Sequence, residues 1–157
     1  MIQRKISWNA VGKLIDNLEH QILQSKKKYD FIIGINRGGL IPSVMLSHKL
    51  GSIHGVHTVQ SYSGKEKRDV QADLYISMIG FIKSHHNVLL VDDIADSGES
   101  LQVSLKTIKK KDSDVRNIDI ATLYYKPKSV ITPTYYSKKI SNNMWIYFPW
   151  ECKENYN

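Results

Sequence analysis

The sequence is poor in the features that would make it something other than a globular domain. Cys152 is the only cysteine among 157 residues, which excludes an intrachain disulfide and fits a reducing compartment. A lone cysteine of this kind, set between Glu151 and Lys153, reads as an ordinary thiol. No apolar run approaches the ~20 residues that span a bilayer, so no membrane association is expected. The opening residues, MIQRKISW, turn polar at once and carry neither an apolar h-region nor a small-residue cleavage site, and the expected location is the cytoplasm. There is no internal repeat, no low-complexity stretch and no linker, so residues 1–157 are expected to form a single domain. His48, His54, His57, His85 and His86 lack metal-ligand spacing with carboxylate or cysteine partners.

Acidic residues are also in deficit. Fifteen Asp and Glu stand against 22 Lys and Arg, a formal net charge of +7. Such a balance suits a small phosphorylated polyanion or a nucleic acid. Two of the lysine clusters, Lys26–Lys28 and Lys109–Lys111, fall where helices are expected to end, and there they offset the negative pole of the helix dipole, worth roughly 0.3–1 kcal/mol each. No basic stripe interleaved with aromatics is present, so nucleic acid is not the expected partner.

Strand-like and helix-like patterns alternate along the chain. Ser7 is placed to cap a helix in which Val11, Leu14, Ile15, Leu18, Ile22 and Leu23 recur at helical spacing. Phe31–Ile35 is an apolar run of the kind buried on both faces of a parallel sheet. A second helix is predicted from Leu40 to Leu50, with Pro42 in its first turn and Gly51 stopping it. His54–Gln60, Asn87–Val91 and Ile118–Tyr124 read as strands, and Gly98–Lys110 as a third helix. The expected class is α/β, with a doubly wound, mostly parallel sheet flanked by helices. Ligands of such sheets sit beyond the carboxyl ends of the strands.

The chemistry-bearing residues fall in those places. Val88–Val91 leads into Asp92-Asp93-Ile94-Ala95-Asp96-Ser97-Gly98-Glu99-Ser100 and then a helix. A small-residue turn opening a helix offers free N–H groups and the positive end of a dipole to an anion. Ser97 and Ser100 can add hydroxyls, and Gly98 lets a phosphate approach the backbone. Asp92 and Asp93 supply acceptor-only groups at the strand's end, suited to sugar hydroxyls or a hydrated divalent cation. Asp96 lies between the two. Capping alone would explain one or two of these residues but not the carboxylate pair behind four apolar ones.

The stretch Val88–Ser100 resembles the phosphoribosyl diphosphate (PRPP) signature of the type I phosphoribosyltransferases, a strand followed by two acids, two apolar residues and Asp-Thr/Ser-Gly-x-Thr/Ser. The resemblance implies that Asp92 and Asp93 bind the ribose hydroxyls, with Asp93 near a magnesium ion. It makes Asp96–Ser100, including Ser97, Gly98 and Glu99, the 5-phosphate loop, and Asp96 the catalytic residue facing the base. A carboxylate beside a phosphate is unfavourable, so Glu99 is expected to point to solvent. Asn36-Arg37-Gly38-Gly39 resembles the family's diphosphate loop, in which glycine N–H groups and Arg37 hold the leaving group, and implies a cis peptide at Asn36–Arg37. Ser61 and Tyr62 open a polar segment, about 61–75, that resembles the family's lid, and Lys65, Lys67 and Arg68 are its candidate cations.

The C-terminal third bears on the base. Tyr125-Lys126-Pro127 resembles the position where enzymes for 6-oxopurines place a lysine on the exocyclic oxygen; a lysine donates and cannot accept. Trp145-Ile146-Tyr147-Phe148-Pro149-Trp150-Glu151 resembles the ending of the bacterial xanthine-guanine phosphoribosyltransferases. By that likeness Trp145 stacks on the purine and Ile146 meets its 2-substituent through a backbone carbonyl, while Phe148 and Trp150 pack in the core. The segment 126–151 is thus a small hood over the site. The implied partners are PRPP and xanthine, guanine or hypoxanthine, and the implied assembly is a homodimer or homotetramer. Two alternatives remain: a regulatory protein of the same fold that senses PRPP or nucleotide and binds nucleic acid, and a transferase for another base such as a pyrimidine or nicotinate.

Overall fold

A computed structural model of the chain describes residues 2–61, 70–75, 86–111 and 113–151. The elements run β1 (Ile2–Lys5), α1 (Trp8–Gln24), β2 (Phe31–Asn36), α2 (Leu40–Leu50), β3 (Ile53–Ser61), β4 (Val70–Tyr75), β5 (His86–Ala95), α3 (Glu99–Lys111), β6 (Val115–Tyr125), β7 (Tyr135–Lys139) and β8 (Met144–Tyr147).

Local sequence accounts for the helices. Ser7 caps α1, its side chain accepting from the Ala10 N–H at 3.2 Å. Val11, Ile15, Leu18 and Ile22 form the buried stripe. Leu23, expected in that stripe, is 60% exposed, because one residue beyond Ile22 turns about 100° away from the core. Gly51 ends α2 at a φ of 66°. Lys109, Lys110 and Lys111 occupy the last turn of α3, as expected. Lys26–Lys28 instead fall beyond α1, and Lys27 forms an ion pair of 2.8 Å with Asp119.

The main sheet has the order β4-β3-β2-β5-β6-β7, parallel except for β4, which runs antiparallel to β3 at the edge. One layer of core packs Leu89, Val91, Ala121 and Leu123 against α1; the other packs Val88, Leu90 and Ile120 against Leu101 and Ile108 of α3. Helices thus cover both faces, as a doubly wound sheet requires. The chain leaves β2 for β3 on one side and β5 for β6 on the other, so the crevice above β2 and β5 is the topological switch point.

Three features depart from the sequence reading. The strand read as Asn87–Val91 continues to Ala95, with Asp92 opposite Thr122 and Ala95 opposite Tyr125, so the acid pair lies within β5 and not past its end. The segment expected as a lid over 61–75 has strand at both ends, Ser61 closing β3 and Val70–Tyr75 forming β4. Tyr62, Lys65, Lys67 and Arg68 lie outside the described residues. Finally, β1 and β8 pair in parallel as a separate two-stranded sheet, with Gln3 opposite Trp145. Among the described residues no helix is long and apolar enough to cross a membrane.

Candidate active site

The turn after β2 is fixed by close packing. The Asn36–Arg37 peptide is cis. Gly39 packs on backbone: a Cβ there would fall against the Val91 carbonyl oxygen and within 2.7 and 2.8 Å of the Ile35 nitrogen and oxygen. Gly38 faces Asp93, whose carboxyl group occupies the space a Cβ would need. The two segments singled out from sequence, 36–39 and 92–100, are therefore in direct contact through Gly38 and Asp93. Arg37 is exposed at the rim of this turn.

Asp92 and Asp93 are both partly buried. Burial pushes the Asp92 carboxyl well above its ordinary range, and the neighbouring Asp93 charge adds to this. Asp93 is raised to about 7, first by burial and then by repulsion from Glu151. Among the described residues no group of three His, Cys, Asp or Glu is close enough to form a metal cage. An acidic pair short of countercharge nevertheless suits a magnesium ion, which takes one or two carboxylates and fills its other positions with water and substrate oxygens.

These shifts set the pH dependence of stability. A carboxyl that resists ionisation in the folded chain contributes stability that is intact below its unfolded pKa of 3.8 and fades as pH rises towards about 7. Denaturant midpoints of the metal-free protein, compared with Asp93→Asn from pH 4 to 8, are expected to converge at the acid end and to favour Asp93→Asn at the neutral end. Parallel curves for the two proteins would refute the assignment.

Past β5 the chain turns into α3 through Asp96, Ser97 and Gly98. Ser97 Oγ accepts from the Glu99 N–H at 3.3 Å, so this hydroxyl caps the helix in the structure. Ser97, Glu99 and Ser100 are exposed, Glu99 in keeping with the expected outward orientation. Gly98 has a φ of 83° and is buried, and a Cβ would strike Ser129 Oγ and approach the Val130 and Ile131 nitrogens. Its missing side chain makes room for the segment after β6.

That segment is laced to the turn. The Lys126 N–H donates to the Ala95 carbonyl at 3.0 Å and the Val130 N–H to the Ser97 carbonyl at 2.9 Å. Lys126 Nζ lies 3.0 Å from Asp96 Oδ2 and is 5.9 Å from the centroid of the Trp145 ring. Lys126 is buried, at 2% exposure, whereas Trp145 presents 43% of its surface. Ile146 is buried in the core at 4% exposure and pairs with Arg4 in the β1–β8 ladder. Phe148 is buried and stacks on Trp150 at 4.7 Å between centroids, the packing expected for both.

Lys128 was missed by sequence reasoning. Its Nζ lies 2.7 Å from Asp96 Oδ1, so the carboxylate is held between two lysines. Burial raises the Asp96 pKa, but contacts with Lys128 and then Lys126 outweigh it and hold the group below the usual carboxylate range. The Lys-Pro-Lys pattern was visible; nothing in it distinguished Lys128 from a solvated loop lysine.

A model of the family described as the phosphoribosyl transferase domain matches residues 7–157. A xanthine-guanine phosphoribosyltransferase of Desulfotalea psychrophila is 30% identical over 153 residues, covering 96% of this chain and 88% of that protein. The crystal structure of a purine phosphoribosyltransferase from Pyrococcus horikoshii superposes with a TM-score of 0.83 at 34% identity, covering 97% of this chain and 96% of the other. A xanthine-guanine-hypoxanthine phosphoribosyltransferase of Helicobacter pylori gives a TM-score of 0.80 at 25% identity, over 95% and 94% of the two chains.

Proposed function

Since the chain belongs to the phosphoribosyltransferase family, we propose that it transfers phosphoribose from PRPP to a 6-oxopurine, releasing diphosphate and a purine nucleoside 5-monophosphate for purine salvage. The observation that carries this reading is the convergence of Asp96, Lys126 and Trp145 beside the opening of α3.

The reaction breaks the bond from ribose C1 to the diphosphate oxygen and forms a bond from C1 to a purine nitrogen. Asp92 and Asp93 accept hydrogen bonds from the ribose hydroxyls. Free N–H groups at the start of α3, with Ser97, Gly98 and Ser100, take the 5-phosphate, while Glu99 faces away. The N–H groups of Gly38 and Gly39 and the Arg37 guanidinium hold the diphosphate. Asp93, with Asp92 beside it, would hold magnesium, which supplies positive charge to the departing diphosphate when bound. Asp96, kept ionised by its lysines, accepts a hydrogen bond from the imidazole edge of the base. Lys126 donates to the 6-oxygen, and Trp145 lies beneath the purine plane. The residues thus act by orientation and by electrostatic complementarity to the separating charges. Ser61 and Tyr62 stand at the start of a segment suited to exclude water from the cationic sugar.

A panel of xanthine, guanine, hypoxanthine, adenine, orotate and nicotinate, each with PRPP and magnesium, is expected to give diphosphate release with at least one 6-oxopurine and background release with the others. Turnover of orotate or nicotinate alone would overturn the choice of base. Absence of turnover throughout would overturn the reaction.

A further inference from the structure

The grip on Asp96 is asymmetric. Lys126 approaches Oδ2 from a buried position, and its side chain is 3% exposed; Lys128 approaches Oδ1 from the surface, with its side chain 45% exposed. Both come from the short segment after β6, which is fastened to the Asp96 turn by the Lys126-to-Ala95 and Val130-to-Ser97 hydrogen bonds. Among the described residues, these lysines are the charged groups that face Asp96. A purine carbonyl that engages Lys126 draws on the same ammonium group that now compensates one oxygen of Asp96. Without a second cation, binding the base would leave a partly buried carboxylate short of countercharge at the moment it is needed as an acceptor.

We propose that Lys128 is a positioning residue of this site. It holds Oδ1 of Asp96, fixes the plane of the carboxylate, and remains its charge partner while Lys126 turns to the base. The inference rests on the base-facing reading of Asp96. Two consequences separate this role from that of a solvated lysine. Lys128 keeps Asp96 an ionised acceptor, and its contribution enters through the base and not through PRPP, because among the described residues its ion-pair partner is Asp96 and not the Asp92–Asp93 pair.

The test pairs a titration with kinetics. The Asp96 carboxyl resonance, assigned by comparison with Asp96→Asn, is followed against pH in the wild type, Lys128→Met and Lys128→Arg. The midpoint is expected to rise in Lys128→Met, because a held cation no longer stabilises the ionised form, and to return in Lys128→Arg. In the same set, KM for the base is expected to rise roughly tenfold in Lys128→Met, the loss of one charge-assisted contact, with KM for PRPP within about twofold. An unmoved Asp96 midpoint in Lys128→Met overturns the proposal, whether or not the chain turns over any base. A moved midpoint with base and PRPP constants changed equally overturns the positioning role. A wild type that releases no diphosphate defeats the proposed function but leaves the titration to decide the contact.

Discussion

Asp96→Ala is expected to lower turnover by roughly 10²- to 10⁴-fold with the fold retained, the range for losing a group that acts on the proton of a reacting base. The size follows from what the carboxylate does in the structure. It is the sole anion between Lys126 and Lys128, at 3.0 and 2.7 Å among the described residues, and both lysines lose their partner with it. Lys126, buried at 2% exposure, then seeks another acceptor and no longer points reliably at the 6-oxygen. Asp96→Asn keeps the shape and removes the charge, so a comparable defect there would assign the effect to charge and not to packing. Steady-state rates with PRPP and the preferred base decide the matter, with thermal melting as the control for folding. Turnover within about threefold of the wild type would remove Asp96 from the mechanism.

The second large effect is on stability. Gly39→Ala is expected to cost about 3 kcal/mol, the upper part of the range for overpacking, and to lower Tm by roughly 6–12 °C for a chain of this length. The reason lies in what the new methyl meets. It falls against the Val91 carbonyl, and the Ile35 nitrogen and oxygen lie 2.7 and 2.8 Å away. All three are backbone atoms of the central strands β2 and β5, which cannot turn aside as a side chain can. The start of α2 must then lift from the sheet, carrying Gly38 away from Asp93. Thermal melting checks the prediction, and a Tm within about 2 °C of wild type would show that the turn accommodates the methyl.

What was legible in the sequence and what was not follows from how each signal arises. Continuous apolar runs identified β2 and the first half of β5, since a strand covered on both faces has no other composition available. The same logic stopped β5 too early at Asp92, because charged residues are not expected in a buried strand, whereas the backbone pairing with β6 continues through Tyr125. β7, Tyr-Tyr-Ser-Lys-Lys, is an edge strand with no apolar run, and β1, Ile-Gln-Arg-Lys, is exposed throughout, so neither announced itself. The turns fared differently. The segments 36–39 and 92–100 meet through Gly38 and Asp93, but nothing local announced that Gly98 also faces Ser129, a contact some 30 positions away that no local pattern encodes. Lys128 escaped for the same reason, since its partner is a tertiary neighbour.

The small β1–β8 sheet has a consequence for how this protein can change over time. Trp145 stands on β8, whose sheet partner is β1, whereas Asp92, Asp93 and the Gly38–Gly39 turn belong to the central parallel sheet. The platform proposed for the base and the cradle proposed for the sugar phosphate are thus different pieces of hydrogen-bonded backbone, joined through side-chain packing of Ile146 and Phe148. Substitutions along β8 or β1 can reshape the wall that meets the base while the strands beneath the sugar keep their register. Selection for a new acceptor base therefore has somewhere to act without dismantling the donor site, and the five exposed or half-exposed positions at Gln3, Arg4, Lys5, Trp145 and Tyr147 are where such divergence is tolerated most readily.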